Sequence, residues 1–170
     1  MPTNTVVGYT NVIPLIQPVD KTSSAWASPW VDLKTAHELR FFCFFGSMTA
    51  TSSDETITLT VECACEAGSD SEAAIAFNYR ISGAVGANTW GAVTAATTTG
   101  VAAAITEDNK IYEIQVDPAV AANGNTNKNG RWVRLVGSVT ASITADVIAV
   151  WAELDTRYKQ TTFVSATGAT

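Results

Sequence analysis

Charged residues are scarce in this chain of 170 residues. Asp, Glu, Lys and Arg together make up 15% of it, against about 25% in typical soluble domains. Thr, Ala, Ser and Asn take their places. A partner can cover such a neutral surface at low cost, because few ions have to lose their hydration. Thr also favours strands, so a β-rich fold without a partner explains the same composition. Both interpretations remain open.

Basic residues are fewer than acidic residues. Ten Lys and Arg stand against sixteen Asp and Glu, which gives a net charge of -6 and an isoelectric point near 4.6. No cluster of Lys and Arg interrupts this balance. A phosphate backbone and an anionic membrane surface both attract basic patches. We therefore predict that neither nucleic acid nor a membrane is a partner.

Long apolar runs are also missing. The first twenty residues show no basic region ahead of an apolar core and no small-residue cleavage site, so we predict no signal peptide. No run approaches the roughly 18 apolar residues of a membrane span. We expect a protein that is made in the cytoplasm and remains there until it assembles with a partner.

Cysteine and histidine are too few to suggest a metal centre or a disulfide framework. Cys43, Cys63 and Cys65 lie in strand-like segments and are predicted to be reduced core thiols. Together with His37 they would make four zinc ligands, but their spacing does not match structural zinc motifs. A disulfide between Cys63 and Cys65 would be strained within one strand.

Catalytic motifs are absent as well. The sequence contains no nucleophile-elbow motif that could work with His37, which is therefore predicted to lie on the surface. Three acidic pairs fall in predicted turns, namely Asp54 and Glu55, Asp70 and Glu72, and Glu107 and Asp108. Solvated side chains are expected there rather than a glycosidase dyad or a calcium loop. Gly83, Gly86 and Gly91 lack the spacing of a phosphate-binding loop. We predict a protein that is not an enzyme, with no catalytic, cofactor-binding or metal-binding residues.

The five tryptophans allow two interpretations. Trp151 lies in an apolar strand and is predicted to belong to the core, whereas Trp132 shares a strand face with Arg134 and is expected to be partly exposed. Core or interface packing is the simpler role for Trp30 and the others. Alternatively, Trp26, Trp90 or Trp132 lines a sugar-binding platform.

The N-terminal region is rich in proline. Residues 2–29 contain Pro2, Pro14, Pro18 and Pro29 among Val, Ile and Leu. Proline cannot donate to a central ladder, so an extended arm or an edge strand is predicted here. Such an arm either wraps a neighbouring subunit or packs on its own domain.

Beyond the arm, the sequence is patterned for strands. The apolar run 39–45 predicts a central strand covered on both faces. Residues 56–66 alternate with period two, and the pattern resumes at 75–81 after a turn, which predicts an antiparallel hairpin. Residues 83–109 are poor in charge and rich in Ala, Thr and Gly.

Further strands are predicted around 90–94 and 101–106, and at 110–117, 131–139 and 143–154, with one helical turn within 119–130. About eight to ten short strands indicate an all-β, single-domain antiparallel β-sandwich or jelly roll. We divide the chain into an extended N-terminal arm (1–29), a β-sandwich domain (30–155) and a polar C-terminal tail (156–170).

Several of these segments, taken in order, resemble small virion proteins of tailed bacteriophages. The resemblance covers most of residues 12 to 158 and rests on strand motifs without a catalytic signature: PLIQPVD, WVDLKTAHELRFFCFFG, TITLTVECACEAGSDSEAAIAFNYRI, KIYEIQVDPAVAANG and GRWVRLVGSVT.

The resemblance implies a non-enzymatic decoration, or cement, protein of the capsid exterior. Its partners would be the major capsid protein and further copies of itself, as a homotrimer, with the arm and the tail contacting neighbours. Two alternatives stay open. One is another virion position, in the tail tube, at head completion or on a fibre, and the other is a carbohydrate-binding jelly roll.

Overall fold

The structure, a computed structural model, describes residues 10–22, 25–49, 56–68, 71–124, 129–139 and 144–157. Within these ranges most residues lie in strands, as the sequence predicts. The strands are β1 (Thr10–Thr22), β2 (Trp26–Ala27), β3 (Val31–Asp32), β4 (Ala36–Phe45), β5 (Met48–Thr49), β6 (Thr56–Ala64), β7 (Ala73–Ile75), β8 (Phe77–Ile81), β9 (Thr94–Ala96), β10 (Val101–Ala104), β11 (Ile111–Val116), β12 (Trp132–Val139) and β13 (Thr144–Thr156). The helices are a 3-10 turn, Ile105–Glu107, and α1, Pro118–Gly124.

Two antiparallel sheets pack face to face. Sheet A has seven strands in the order β1-β13-β4-β11-β8-β9, with β5 beside β13. Sheet B has six strands in the order β10-β6-β12-β2, with β3 beside β12 and β7 beside β6. The sandwich class predicted from strand spacing is confirmed.

The pairing of the main strands has jelly-roll topology. The chain behaves as one long antiparallel ribbon, because β1 pairs with β13, β2 with β12, β4 with β11 and β6 with β10. Rolling such a ribbon places alternate strand pairs in opposite sheets, which gives the double-sheet form. Between β6 and β10 the chain adds β8 and β9, which extend sheet A beyond β11.

The core lies between the sheets and follows the alternation of the sequence. In β6, Ile57, Leu59, Val61 and Cys63 are buried while the intervening Thr and Glu side chains are half-buried. Where β12 faces β2, Gly137 lies under the ring of Trp26, and a Cβ at Gly137 would come within 2.2 Å of Cε2 of that ring. Glycine is therefore required for the tryptophan to fill the core at this point.

The apolar run in β4 is buried on one face only, contrary to prediction. Leu39, Phe41, Cys43 and Phe45 are buried, whereas Phe42 and Phe44 are half-buried on the outer face of sheet A. Phe42 stacks on Trp151, and Phe44 lies between Ala149 and Ile111 of the neighbouring strands, in place of a further layer of structure. Continuous apolarity thus reflects one core face and one partly covered outer face.

The predicted hairpin is only partly correct. β7 does pair with β6 in sheet B, from Cys63 opposite Ala73 to Val61 opposite Ile75. After Ala76 the chain crosses to sheet A, where β8 pairs with β11 instead. The strand predicted around 90–94 is also displaced: Trp90 makes a single bridge to Ser82, and β9 begins at Thr94.

Much of the proline-rich N-terminal region belongs to the sandwich itself. β1 is the edge strand of sheet A and pairs with β13 along its length, with three register shifts around Pro14, Ile16 and Val19. Ile13 is buried in the core. Residues 1–9 and residues 158–170, which make up most of the predicted tail, lie outside the described residues. No helix in the described part of the chain is long and apolar enough to cross a membrane.

Candidate functional site

The histidine and the cysteines do not come together. His37 is exposed near the start of β4, as predicted for a surface histidine. Cys43 is buried in sheet A and Cys63 in sheet B, and burial raises the pKa of both thiols. Cys65 is half-buried beyond the end of β6. Within the described ranges no three His, Cys, Asp or Glu side chains could hold a metal ion.

The acidic residues of the predicted turns make structural contacts where they are described. Glu72 pairs with Arg134 at 2.8 Å, and Glu107 pairs with Lys110 at 2.6 Å. Asp108 accepts a hydrogen bond from the backbone N–H of Met48 at 2.7 Å. Asp54, Glu55 and Asp70 lie outside the described residues.

The tryptophans proposed for a sugar platform do not share a surface. Trp26 is buried inside the sandwich. Trp132 lies on the outer face of sheet B, 5.4 Å from the guanidinium of Arg131. Trp90 lies on the sheet A side, where the Arg80 guanidinium is 4.6 Å from its ring centroid. The three rings therefore do not form one common platform, whereas Trp90 is 37% exposed and Trp132 is half-buried on separate surfaces.

Trp151 is also placed differently from the prediction. It is half-buried on the outer face of sheet A and stacks on Phe42, with ring centroids 5.4 Å apart and planes inclined by 8°. The two residues face each other across β13 and β4. This pair gives the outer face of sheet A an aromatic stripe beside its polar residues.

The polar residues of that face form a cross-strand row. The register of β13, β4, β11 and β8 places Glu153 opposite Arg40, Arg40 opposite Gln115 and Gln115 opposite Asn78. In the neighbouring row Phe42 lies opposite Glu113, which in turn lies opposite Arg80. Directly opposed side chains on one sheet face are about 5 Å apart, so these groups contact one another.

Ion pairs hold both arginines of these rows in place. Arg40 lies 3.2 Å from Asp155, 3.6 Å from Glu38 and 3.8 Å from Glu153. Gln115 donates a hydrogen bond to Glu38. Arg80 donates to Oε2 of Glu113 from Nε at 2.7 Å and from Nη2 at 2.5 Å.

Glu113 is the residue that the sequence pattern misses. Alternation places it on the solvent side of β11, yet only 9% of its side chain is exposed. Arg80, from the next strand, covers the carboxylate and compensates for its lost hydration. No periodicity in β11 signals this, because the compensating charge comes from another part of the chain.

These side chains line a concave pocket of about 320 Å³ on the outer face of sheet A, which we call the polar pocket. Its lining includes the polar residues Glu38, Arg40, Asn78, Arg80, Glu113 and Gln115, together with Tyr79. Val93 provides an apolar wall. The pocket offers donors and acceptors together, on three neighbouring strands.

A second surface feature is an edge without charge. Residues 82–106 contain no Asp, Glu, Lys, Arg or His. They include β9, the last strand of sheet A, and β10, the last strand of sheet B, joined by only four residues. We call this segment the uncharged edge. Val85 and Val93 are 79% and 61% exposed within it, and Trp90 is 37% exposed.

The opposite side of the sandwich is built differently. There the edge strand of sheet A is β1, which contains Pro14, Pro18 and Asp20. Prolines and charges on an edge strand oppose pairing with other chains. Neither β9 nor β10 has such a residue, and in the described part of the chain neither has a second strand neighbour.

No protein-family model, curated protein or solved structure matches this chain.

Proposed function

We propose that this protein is a non-enzymatic decoration, or cement, protein that binds the exterior of the major capsid shell of a tailed bacteriophage and stabilises it. The observation that carries the proposal is the uncharged edge, a largely exposed segment that includes the edge strands of both sheets. The jelly-roll topology and the strand motifs that resemble phage virion proteins support the same assignment.

The physical advantage of such an edge lies in its low desolvation cost. Covering a charged side chain removes strongly bound water, whereas covering Thr, Ala and Gly removes little. The free backbone N–H and C=O groups of β9 and β10 can pair with an extended segment of a partner. Cross-strand pairing of this kind needs few specific side chains, which suits a surface composed of small residues.

Three larger side chains give this surface apolar anchors. Val85, Trp90 and Val93 are exposed within twelve residues of the edge strands. Among these, Trp90 is of the type that most often contributes a large share of the binding energy of a contact. Trp90 is held by its bridge to Ser82 and by Arg80, so little side-chain entropy remains to be lost on binding.

Repetition on the shell multiplies weak contacts. A decoration protein that self-associates, here as a homotrimer, presents several uncharged edges to neighbouring capsid subunits at once. The second and third contacts then form within one complex, which raises the apparent affinity without any new interface. The protein is made in the host cytoplasm under this proposal and functions on the outside of the virion.

A charge placed on the uncharged edge tests the proposal. Val85→Glu should weaken binding to purified heads assembled without this protein by at least tenfold, because the contact would have to bury an unpaired carboxylate. Co-sedimentation with heads over a range of protein concentrations measures the apparent affinity. Val12→Glu is the matched control, since Val12 is 59% exposed but lies on β1. Equal weakening by both substitutions would contradict the assigned surface.

Truncating the N-terminal region is a poor test of shell binding in this fold. Deletion of residues 2–20 would remove most of β1, with its pairing to β13 and the buried Ile13. Any loss of binding would then reflect a damaged sandwich. Point substitutions at exposed positions avoid this problem.

The position of the protein in the particle distinguishes a decoration protein from a tail, head-completion or fibre component. Imaging of the intact particle should show copies spread over the whole shell. A single ring at the portal or tail would instead identify a connector or tail component and refute the decoration function.

A further inference from the structure

We propose that the polar pocket binds a neutral saccharide. The polar lining of this site lies outside the uncharged edge, and the two surfaces share Val93. The proposal does not depend on shell binding. It also replaces the tryptophan platform with a site built from side chains of β4, β8 and β11.

The charge balance of the lining selects a neutral ligand. The pocket contains two guanidinium groups, from Arg40 and Arg80, and two carboxylates, from Glu38 and Glu113. An anionic ligand would approach both carboxylates and a cationic ligand both guanidinium groups. A neutral polar ligand meets neither repulsion, since its hydroxyl groups can accept from the arginines and donate to the glutamates.

The spacing of the polar groups suits adjacent hydroxyls. Gln115 lies opposite Asn78 and opposite Arg40, so three planar polar side chains stand side by side on neighbouring strands. Each offers two functional atoms in one plane. Asn78 and Gln115 are both exposed. Nε2 of Gln115 already donates to Glu38, so Gln115 offers chiefly its carbonyl oxygen to a ligand, whereas Asn78 offers a donor and an acceptor. Pairs of neighbouring hydroxyls on a sugar ring match this arrangement.

The pocket is rigid before any ligand arrives. Arg40 is fixed by three carboxylates, and Arg80 is fixed by Glu113 and by the ring of Trp90. Both arginines donate in directions set by these partners. Preorganised groups lose little conformational entropy on binding, so even a small polar ligand can gain affinity from them.

An apolar wall completes the site. Val93 borders the pocket and is largely exposed. Sugars have C–H faces as well as hydroxyls, and an aliphatic or aromatic surface can cover such a face. A volume of about 320 Å³ lies at the small end of ligand sites, which favours one or two sugar units.

Titration of the free, full-length protein with neutral methyl glycosides of glucose, galactose, mannose and N-acetylglucosamine tests the proposal. Two-dimensional NMR should show saturable shifts of the side-chain amides of Asn78 and Gln115 with at least one of them, with a dissociation constant on the order of 1 mM. The double variant Asn78→Ala, Gln115→Ala should bind at least tenfold more weakly. Asn123→Ala, which removes an exposed amide on α1, should bind like the wild type.

Charged sugars complete the experiment. N-acetylneuraminic acid and glucosamine should bind more weakly than the best neutral glycoside. The proposal is overturned if none of the neutral glycosides gives saturable shifts at these amides, or if either charged sugar binds more tightly. It is also overturned if the double variant keeps the wild-type affinity. Because the wild-type shifts map the site directly, a folding defect in a variant leaves the test intact. This titration does not measure shell binding, so a failure of the proposed shell contact would be detected separately, in the co-sedimentation experiment.

Discussion

The carboxylate of Asp32 joins the N-terminal half of the chain to β12, and its neutralisation should measurably destabilise the sandwich. Asp32 lies in β3 and is buried. It accepts hydrogen bonds from Nε of Arg131 at 2.7 Å and from the backbone N–H of Lys34 at 2.8 Å. Nη2 of Arg131 donates to its other oxygen. Asp32→Asn keeps the shape of the side chain but removes the charge and turns an amide donor toward Arg131.

The expected cost follows from the strength of charge-assisted hydrogen bonds. A hydrogen bond to a charged group contributes about 1.5–3 kcal/mol to stability. Arg131 is 45% exposed, so water competes for it and the lower part of that range applies. We expect Asp32→Asn to lower the free energy of unfolding at pH 7 by about 2 kcal/mol.

The same carboxylate gives the loss a pH dependence. Burial alone would raise the pKa of Asp32, but the hydrogen bonds from Arg131 and Lys34 outweigh burial and hold its pKa below the usual 3.8. The folded state therefore binds its proton less readily than the unfolded state. The stabilisation is complete above pH 3.8 and is lost as the pH falls through the lower folded pKa. Asn does not titrate, so the difference between the two proteins should shrink in acid.

Urea unfolding of both proteins at about pH 7 and about pH 3 measures this difference. Asp155→Asn is the matched control, because Asp155 pairs with Arg40 at 3.2 Å while a quarter of its side chain is exposed. Arg40 keeps Glu38 and Glu153 as partners when Asp155 is neutralised, so this variant should lose less than Asp32→Asn. Equal losses in the two variants, or a loss at Asp32 that stays constant from neutral to acid pH, would refute the reasoning.

Two further experiments, a substitution and a labelling reaction, concern buried groups. The hydroxyl of Tyr112 is buried and has no hydrogen-bond partner among the described residues. Tyr112→Phe should therefore raise the free energy of unfolding by about 1 kcal/mol in the same urea assay. A clear loss of stability would show instead that the hydroxyl has a partner. Burial raises the pKa of Cys43 and Cys63, so in the native protein Cys65 should react first with a thiol-specific disulfide reagent. Mass spectrometry of the labelled protein identifies the modified residue, and early labelling at Cys43 would contradict the burial described here.

Strong alternation made several strands predictable. β6, β11, β12 and β13 lie within about three residues of the ranges expected from period-two patterns. In each, the buried face consists of apolar side chains that pack against the other sheet, because one face of a strand has to cover the core. The helical turn at α1 was also expected, from the Ala-rich segment that follows Asp117 and Pro118.

Which strands pair with each other, and in which sheet, was less predictable. Phe77, Tyr79 and Ile81 continue the same alternation as Ile75, yet Ile75 belongs to sheet B and the other three to sheet A. An alternating pattern fits either sheet equally well, so only packing decides between them. The same ambiguity explains the wrong prediction for Trp151. Its apolar neighbours in the sequence suggested a core position, but the ring lies on the outer face of sheet A, where it stacks on Phe42.

The sequence by itself therefore determined that the chain forms alternating strands and that residues 82–106 carry no charge. Local periodicity encodes which face of each strand is apolar, and composition is independent of the fold. Only the tertiary structure decided that β9 and β10 form free edges on one side, and that Arg40, Arg80 and Glu113 meet in one pocket. These facts depend on pairing between distant segments, which packing of the whole core selects.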